Sequence, residues 1–357
     1  MAKAKQALFV VHGMGDHDEK SWCNGFRKSI AEIYGRYEVA QFMPFAGQID
    51  VKPLYYNDWF DDRRKQWKKA ADEVIKVLQP LGRNGPQAIA KAMEWAASAD
   101  KDEFLLTHVL DVLLYRFVPT IGDAVRSSVR KQLLEGMKGY ERWSVIGHSL
   151  GSSVLHDALV WMFDPSSPAS VKPEQHRFQA VAMVANVSRV LESSHLSSEH
   201  GGTRWDAYRS VVQPNVKVTK GVCDRFLNVW HTWDPVPLPK QFKPQPDWPD
   251  RATRDAGGKF LDIEIGELEA SGDLADVHDL EHYLRNPCFH IPLFRSLIPL
   301  EGLISPEEEH AAVKKHRAEH PRSKVLAKID ALKPFRLSDE EENWGAILTQ
   351  FHEFLAS

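Results

Sequence analysis

Residues 147–151 read Gly-His-Ser-Leu-Gly, a serine with one glycine two places before it and another two places after. The preceding Trp-Ser-Val-Ile (143–146) has the apolar, β-branched character of a strand. Residues 153–163 place Val154, Leu155, Ala158, Leu159 and Met162 along one side of a helix. A serine in a sharp turn between strand and helix is presented at the edge of a sheet, and the turn needs small neighbours. The chemistry it offers is nucleophilic attack. A serine hydroxyl is a weak nucleophile at neutral pH, so it needs a histidine to take its proton and a carboxylate to orient that histidine. The bland alternative, an ordinary Gly/Ser turn, does not account for the strand before it and the helix after it.

A G-x-S-x-G in this setting resembles the nucleophile elbow of the α/β-hydrolase superfamily. The resemblance implies a triad in the chain order Ser, Asp or Glu, His, with no metal or organic cofactor. Its acid lies in a loop after a late strand, and its histidine in the loop after the last strand. By that order Asp234 fits the acid. It follows the candidate strand 226–230, in Trp230-His231-Thr232-Trp233-Asp234-Pro235-Val236-Pro237, where proline keeps the carboxylate off a helix. Asp224 lies at the wrong end of that strand, and Asp262 and Glu264 lie inside another. The base must follow 260–265, which leaves His278, His282 and His290. His278 ranks first, at the entry of a helix over 279–284. His282, one turn further along the same face, is the alternative base. The Leu150 amide and, from Val11-His12-Gly13-Met14-Gly15, the Met14 amide are the implied oxyanion donors. A dinucleotide loop would need G-x-G-x-x-G, whereas Gly13 and Gly15 are followed by His17-Asp18.

Residues 10–15 together with 147–152 are also similar to a lipase-like subset, the intracellular DDHD-type phospholipases and some bacterial lipase-like effectors. The implied activity is hydrolysis of carboxylic esters through an acyl-enzyme. The same residues would serve a thioesterase or peptidase. The alternative of another class is a non-catalytic partner-binding protein on a hydrolase scaffold.

The elements that must position these residues follow from periodicity. Strands are expected at 7–11, 49–56, 143–146, 180–185, 226–230 and 260–265. Trp67, Ala71, Val74 and Leu78 mark a helix that Pro80, Gly82 and Gly85-Pro86 break. Further helices are expected at about 87–98, 102–117 and 121–137, and another near 279 that stops before Pro287. Apolar strands separated by helices predict an α/β fold, a mostly parallel central sheet with helices on both faces. The block at 60–140 is either a cap over the sheet or a set of long crossover helices. The expected organisation is a hydrolase domain over 1–300, with a helical cap-like insertion at about 60–140, and a helical extension over 301–357.

Composition narrows the classes. The chain of 357 residues is 43% hydrophobic and 26% charged with a net charge of −4, which excludes a disordered chain and offers no basic field for nucleic acid. Three scattered cysteines, Cys23, Cys223 and Cys288, exclude a disulfide framework. The apolar run 7–11 is too short for a signal peptide and no run reaches the length of a spanning helix, so a cytoplasmic protein is expected, with export lacking a cleavable signal left open. His12, His17, His195, His200 and His231, with Asp16, Asp18 and Glu199, show no metal-ligand spacing, so no metal is expected. The expected partner is a small-molecule or lipid ester. Arg63, Arg64, Lys65, Lys68 and Lys69 around Trp67 form either a solvated face or a peripheral membrane contact. Near the C-terminus Ser338 and Glu341 read as a capping box, followed by an apolar stripe from Trp344 to Leu355. That helix docks on this chain's own core, forms a homodimer contact, acts as a lid, or lies on a membrane.

Overall fold

The computed structural model describes residues 6–13, 19–60, 111–165 apart from 113 and 117, 170–189, 191, 211–215, 221–232, 234, 236–237, 241–244, 248, 260–265, 277–298, 300 and 302–319. It is an α/β structure. Six strands form one all-parallel sheet: β1 (Gln6–Val11), β2 (Ile49–Leu54), β3 (Arg142–His148), β4 (Phe178–Val184), β5 (Cys223–His231) and β6 (Phe260–Ile265), in the order β2-β1-β3-β4-β5-β6. Parallel strands need crossovers, and the helices that make them cover both faces.

Strand alternation assigns the two cores. Ala7, Phe9 and Val11 of β1 face one layer, with α2 (Pro119–Met137) and α3 (Leu150–Phe163). Leu8 and Val10 face the other, with α1 (Glu19–Tyr34), α4 (Leu280–Arg285) and α5 (Pro287–Leu297). All six residues of β1 are therefore buried, as a continuous apolar run in a doubly covered sheet requires.

Each expected strand is present, with ends shifted by up to three residues. The helix expected from 153 begins at Leu150, directly after the serine. α1, for which no helix was expected, buries Cys23, Phe26, Ile30 and Ile33 along one face. Pro287 ends α4 as expected but also opens α5 at its first turn, with Asn286 as the cap: its side chain accepts from the Cys288 amide at 2.9 Å. α2 lies at the end of the 60–140 block, on the connection between β2 and β3. Val125, Val129, Leu133 and Met137 bury its inner face in the main core. Arg126 ties it to α3 through Asp157 at 3.2 Å, and the Tyr115 hydroxyl donates to the same carboxylate oxygen. The helices expected at 67–78 and 87–98, the basic cluster 63–69 and the helix expected after Ser338 lie outside the described residues. α6 (Pro306–Glu319) lies within the 301–357 segment. No helix among the described residues is long and apolar enough to cross a membrane.

The strand order locates a crevice. The chain runs from β1 outward to β2, then reverses to β3 on the other side of β1. Connections leaving β1 and β3 therefore part in opposite directions, which opens the sheet at the carboxyl ends of those strands, where ligands of such folds bind. Val11 pairs with Gly147, so His12-Gly13 emerges beside His148-Ser149.

Candidate active site

Ser149 stands in the turn between β3 and α3 with φ 53° and ψ −127°. Positive φ costs a residue with a Cβ about 1–3 kcal/mol and persists only where its surroundings hold it. The hold is visible. The Ser149 amide donates to the Val184 carbonyl of β4 at 3.0 Å. The Ser152 hydroxyl donates to the Ser149 carbonyl at 2.6 Å and accepts from the Val187 amide at 3.0 Å, tying the turn to the loop after β4. Gly151 lets α3 start against the β1 loop. A Cβ there would lie 2.1 Å from the His12 carbonyl oxygen and 2.6 Å from that of Val11. Gly13 does the same from the opposite side, where a Cβ would lie 2.9 Å from His148 Nδ1 and 3.1 Å from Ser149 Cβ. Tyr56 completes the wall by donating to the His12 and Gly13 carbonyls at 2.8 and 3.0 Å, its ring stacked on His12.

Three of the residues expected at the site come together. His278 Nε2 lies 2.8 Å from Ser149 Oγ, and His278 Nδ1 lies 2.8 Å from Asp234 Oδ2. Asp234 follows β5 and His278 sits just before α4, so 44 residues of chain separate two groups that the sheet places in contact. Asp279 caps α4 by accepting from the Glu281 amide, which fixes the turn that carries His278.

The carboxylate of Asp234 is wholly buried. Burial pushes its pKa up, but the charge and hydrogen bond of His278, the Tyr283 hydroxyl and the Val236 amide outweigh that and hold it below the usual aspartate value. It remains an anion, oriented toward imidazole. Because carboxylate accepts, His278 Nδ1 carries the proton and Nε2 is left to take one from the serine. A hydroxyl, an imidazole and a carboxylate in this series can turn Ser149 into a nucleophile.

The remaining candidates fall elsewhere. His282 is buried in α4 with its ring 5.5 Å from that of His231. The helix starts after His278, so the two histidines do not share a helical face. His290 is buried in α5, its Nδ1 donating to the Leu284 carbonyl at 2.8 Å and its Nε2 accepting from Tyr37 at 2.6 Å. Asp224 is exposed at the start of β5. Asp262 accepts from Asn228 and Trp230, and Glu264 from Thr232. Leu150 is the first residue of α3, so its amide is one of the helix's unpaired leading N–H groups. Met14 lies outside the described residues, as do His17, His195, His200, Asp16, Asp18 and Glu199. No group of three or more metal-binding side chains occurs among the described residues.

Two members of the site were not foreseen. The Tyr283 hydroxyl donates to Asp234 Oδ2 at 2.7 Å. His148 Nε2 lies 2.7 Å from the main-chain oxygen of His278, so that nitrogen donates. For the first, the sequence offers only a tyrosine in a helix, which reads as core. Nothing in the sequence announces the second, because its acceptor is backbone. Comparisons with protein-family models, with curated proteins and with solved structures return no match to this chain.

Proposed function

We propose that this chain is a serine hydrolase of the α/β-hydrolase superfamily that cleaves carboxylic esters through an acyl-enzyme. The observation that carries the reading is the unbroken series Ser149 Oγ, His278, Asp234, with both links at 2.8 Å, on a serine held at positive φ. Ser149 attacks the ester carbonyl carbon while His278 Nε2 takes the hydroxyl proton. Asp234 fixes the imidazole tautomer and stabilises the imidazolium. Collapse of the tetrahedral intermediate breaks the ester C–O bond, and His278 returns the proton to the leaving alcohol. Water then attacks the acyl carbon by the same path and releases the acid.

Charge that develops on the carbonyl oxygen meets the Leu150 amide at the positive end of α3. By the family resemblance, the Met14 amide would supply the second donor. The chemistry calls for no cofactor. Ester is favoured over amide because the stretch from Asp234 to Pro237 is similar to the acid loop of lipases. A cytoplasmic setting agrees with Cys23, Cys223 and Cys288, none of which is joined in a disulfide.

The substrate class is tested with p-nitrophenyl esters of increasing acyl length beside a matched thioester and anilide. Turnover that is fastest on the oxygen esters and absent from Ser149→Ala agrees with the proposal. Faster turnover of the thioester or anilide would move the assignment to those classes, and inertness toward all three would favour a binding protein.

A further inference from the structure

We infer that Tyr283 is a positioning residue of this site, holding the Asp234 carboxylate in the orientation that serves His278; the inference rests on the hydrolase reading above. Asp234 Oδ2 accepts from two donors at once, the Tyr283 hydroxyl at 2.7 Å and His278 Nδ1 at 2.8 Å. Oδ1 accepts the Val236 amide at 3.0 Å. A carboxylate with three donors cannot turn about its Cβ–Cγ bond without losing some of them. One short element delivers both side-chain donors, since His278 lies just before α4 and Tyr283 within it.

The hydroxyl is a permanent donor. Tyr283 is wholly buried, and burial together with the neighbouring Asp234 charge pushes its phenol well above the ordinary range. It therefore keeps its proton wherever the enzyme works. Its effect on the reaction is twofold. It restricts Asp234 to orientations that face His278 Nδ1, and it draws charge from Oδ2, which tempers how strongly Asp234 stabilises the imidazolium.

Removing the hydroxyl separates these effects from packing. In Tyr283→Phe, kcat falls on the order of tenfold with KM unchanged, because the orientation needed for proton transfer is held less of the time. The acid limb of kcat/KM moves to higher pH, because an Asp234 with one donor fewer stabilises the imidazolium more. Other titratable rings face the pair: His148 at 5.1 Å from His278 and 6.4 Å from Tyr283, His231 at 6.3 Å and His282 at 6.4 Å from Tyr283. All three are retained in the variant, so a displaced limb reports the lost hydroxyl.

The experiment compares pH–rate profiles of p-nitrophenyl acetate hydrolysis for wild type, Tyr283→Phe, and the chain carrying 3-fluorotyrosine at position 283. Fluorination makes the phenol a stronger donor and leaves its size almost unchanged. Limbs displaced in opposite directions, upward for phenylalanine and downward for fluorotyrosine, support the role. Profiles that superimpose on wild type overturn it and leave the hydrolase reading intact. If the phenylalanine variant does not fold, the fluorotyrosine limb decides alone, and an unmoved limb rejects the role. A wild type that neither hydrolyses the ester nor reacts with a fluorophosphonate rejects the hydrolase reading and this role with it.

Discussion

The imidazole Nε2 of His148 donates to the main-chain oxygen of His278 at 2.7 Å, so the residue before the serine holds the loop of the residue that must activate it. The two rings lie 5.1 Å apart, tilted at 39°. This bond spans 130 residues of sequence and couples the β3 turn directly to the entry of α4. Phenylalanine at 148 keeps a ring in the same space and loses the donor. His148→Phe should lower kcat by roughly tenfold while preserving the fold, since a buried hydrogen bond of this kind contributes about 0.5–1.5 kcal/mol. Steady-state kinetics beside circular dichroism checks it, and full activity in His148→Phe would show that the bond is incidental.

Ser149 combines the nucleophile with a backbone that only glycine adopts freely. Ser149→Ala should abolish turnover, by about 10⁴ or more, and leave the fold intact. Ser149→Gly should be equally inactive but more stable than Ser149→Ala by about 1 kcal/mol, because it relieves the positive φ. Denaturant midpoints of the two inactive variants give the difference. Equal midpoints would mean that the turn stores no strain.

His278 and His282 are separated by one turn of sequence and by their environments. His278→Ala should lose nearly all activity, whereas His282→Ala, at a ring packed near His231 and Tyr283 and away from Ser149, should lose less than tenfold. An active His278→Ala beside an inactive, folded His282→Ala would reverse the assignment of the base.

How much of this arrangement is legible in the sequence depends on the kind of signal each part leaves. The strands are legible because doubly covered parallel strands are near-continuous apolar runs, as Ala7–Val11 shows. Ser149, Asp234 and His278 are legible because their types and chain order match a known chemistry. Tyr283 is not, because a tyrosine in an amphipathic helix reads as core, and its hydroxyl acquires a partner only in three dimensions. Pro287 was legible as a stop and not as a start, since proline at a first turn serves both. His282 stands as an alternative to His278 only if one helix carries both, and α4 begins at Leu280.

Acid should weaken the fold through buried histidines. Burial holds His156 and His290 at a pKa of about 3, and the Tyr37 hydroxyl donating to His290 Nε2 requires that ring neutral. The unfolded chain protonates histidine near about pH 6.5. Between those values the unfolded state binds protons that the folded state refuses, so stability falls as pH is lowered, by up to about 1.4 kcal/mol per pH unit for each group. Asp234 acts in the same direction at lower pH, since its depressed pKa stabilises above about 3.9 and that contribution is lost below. Replacing the pair by His290→Leu with Tyr37→Phe should flatten the dependence of the urea midpoint on pH between about 6.5 and 4.5. An unchanged slope would remove His290 from the account.

The most direct test of the central claim is where a fluorophosphonate bonds. Wild-type protein is treated with the probe, digested, and its peptides mapped by mass spectrometry, with Ser149→Ala and Asp234→Asn in parallel. The account predicts a single adduct on Ser149, none in the alanine variant, and slow labelling in Asp234→Asn, where asparagine donates to His278 and turns the imidazole to the wrong tautomer. A folded wild type that takes no label, or takes it on another residue, would contradict the claim that Ser149 is an activated nucleophile.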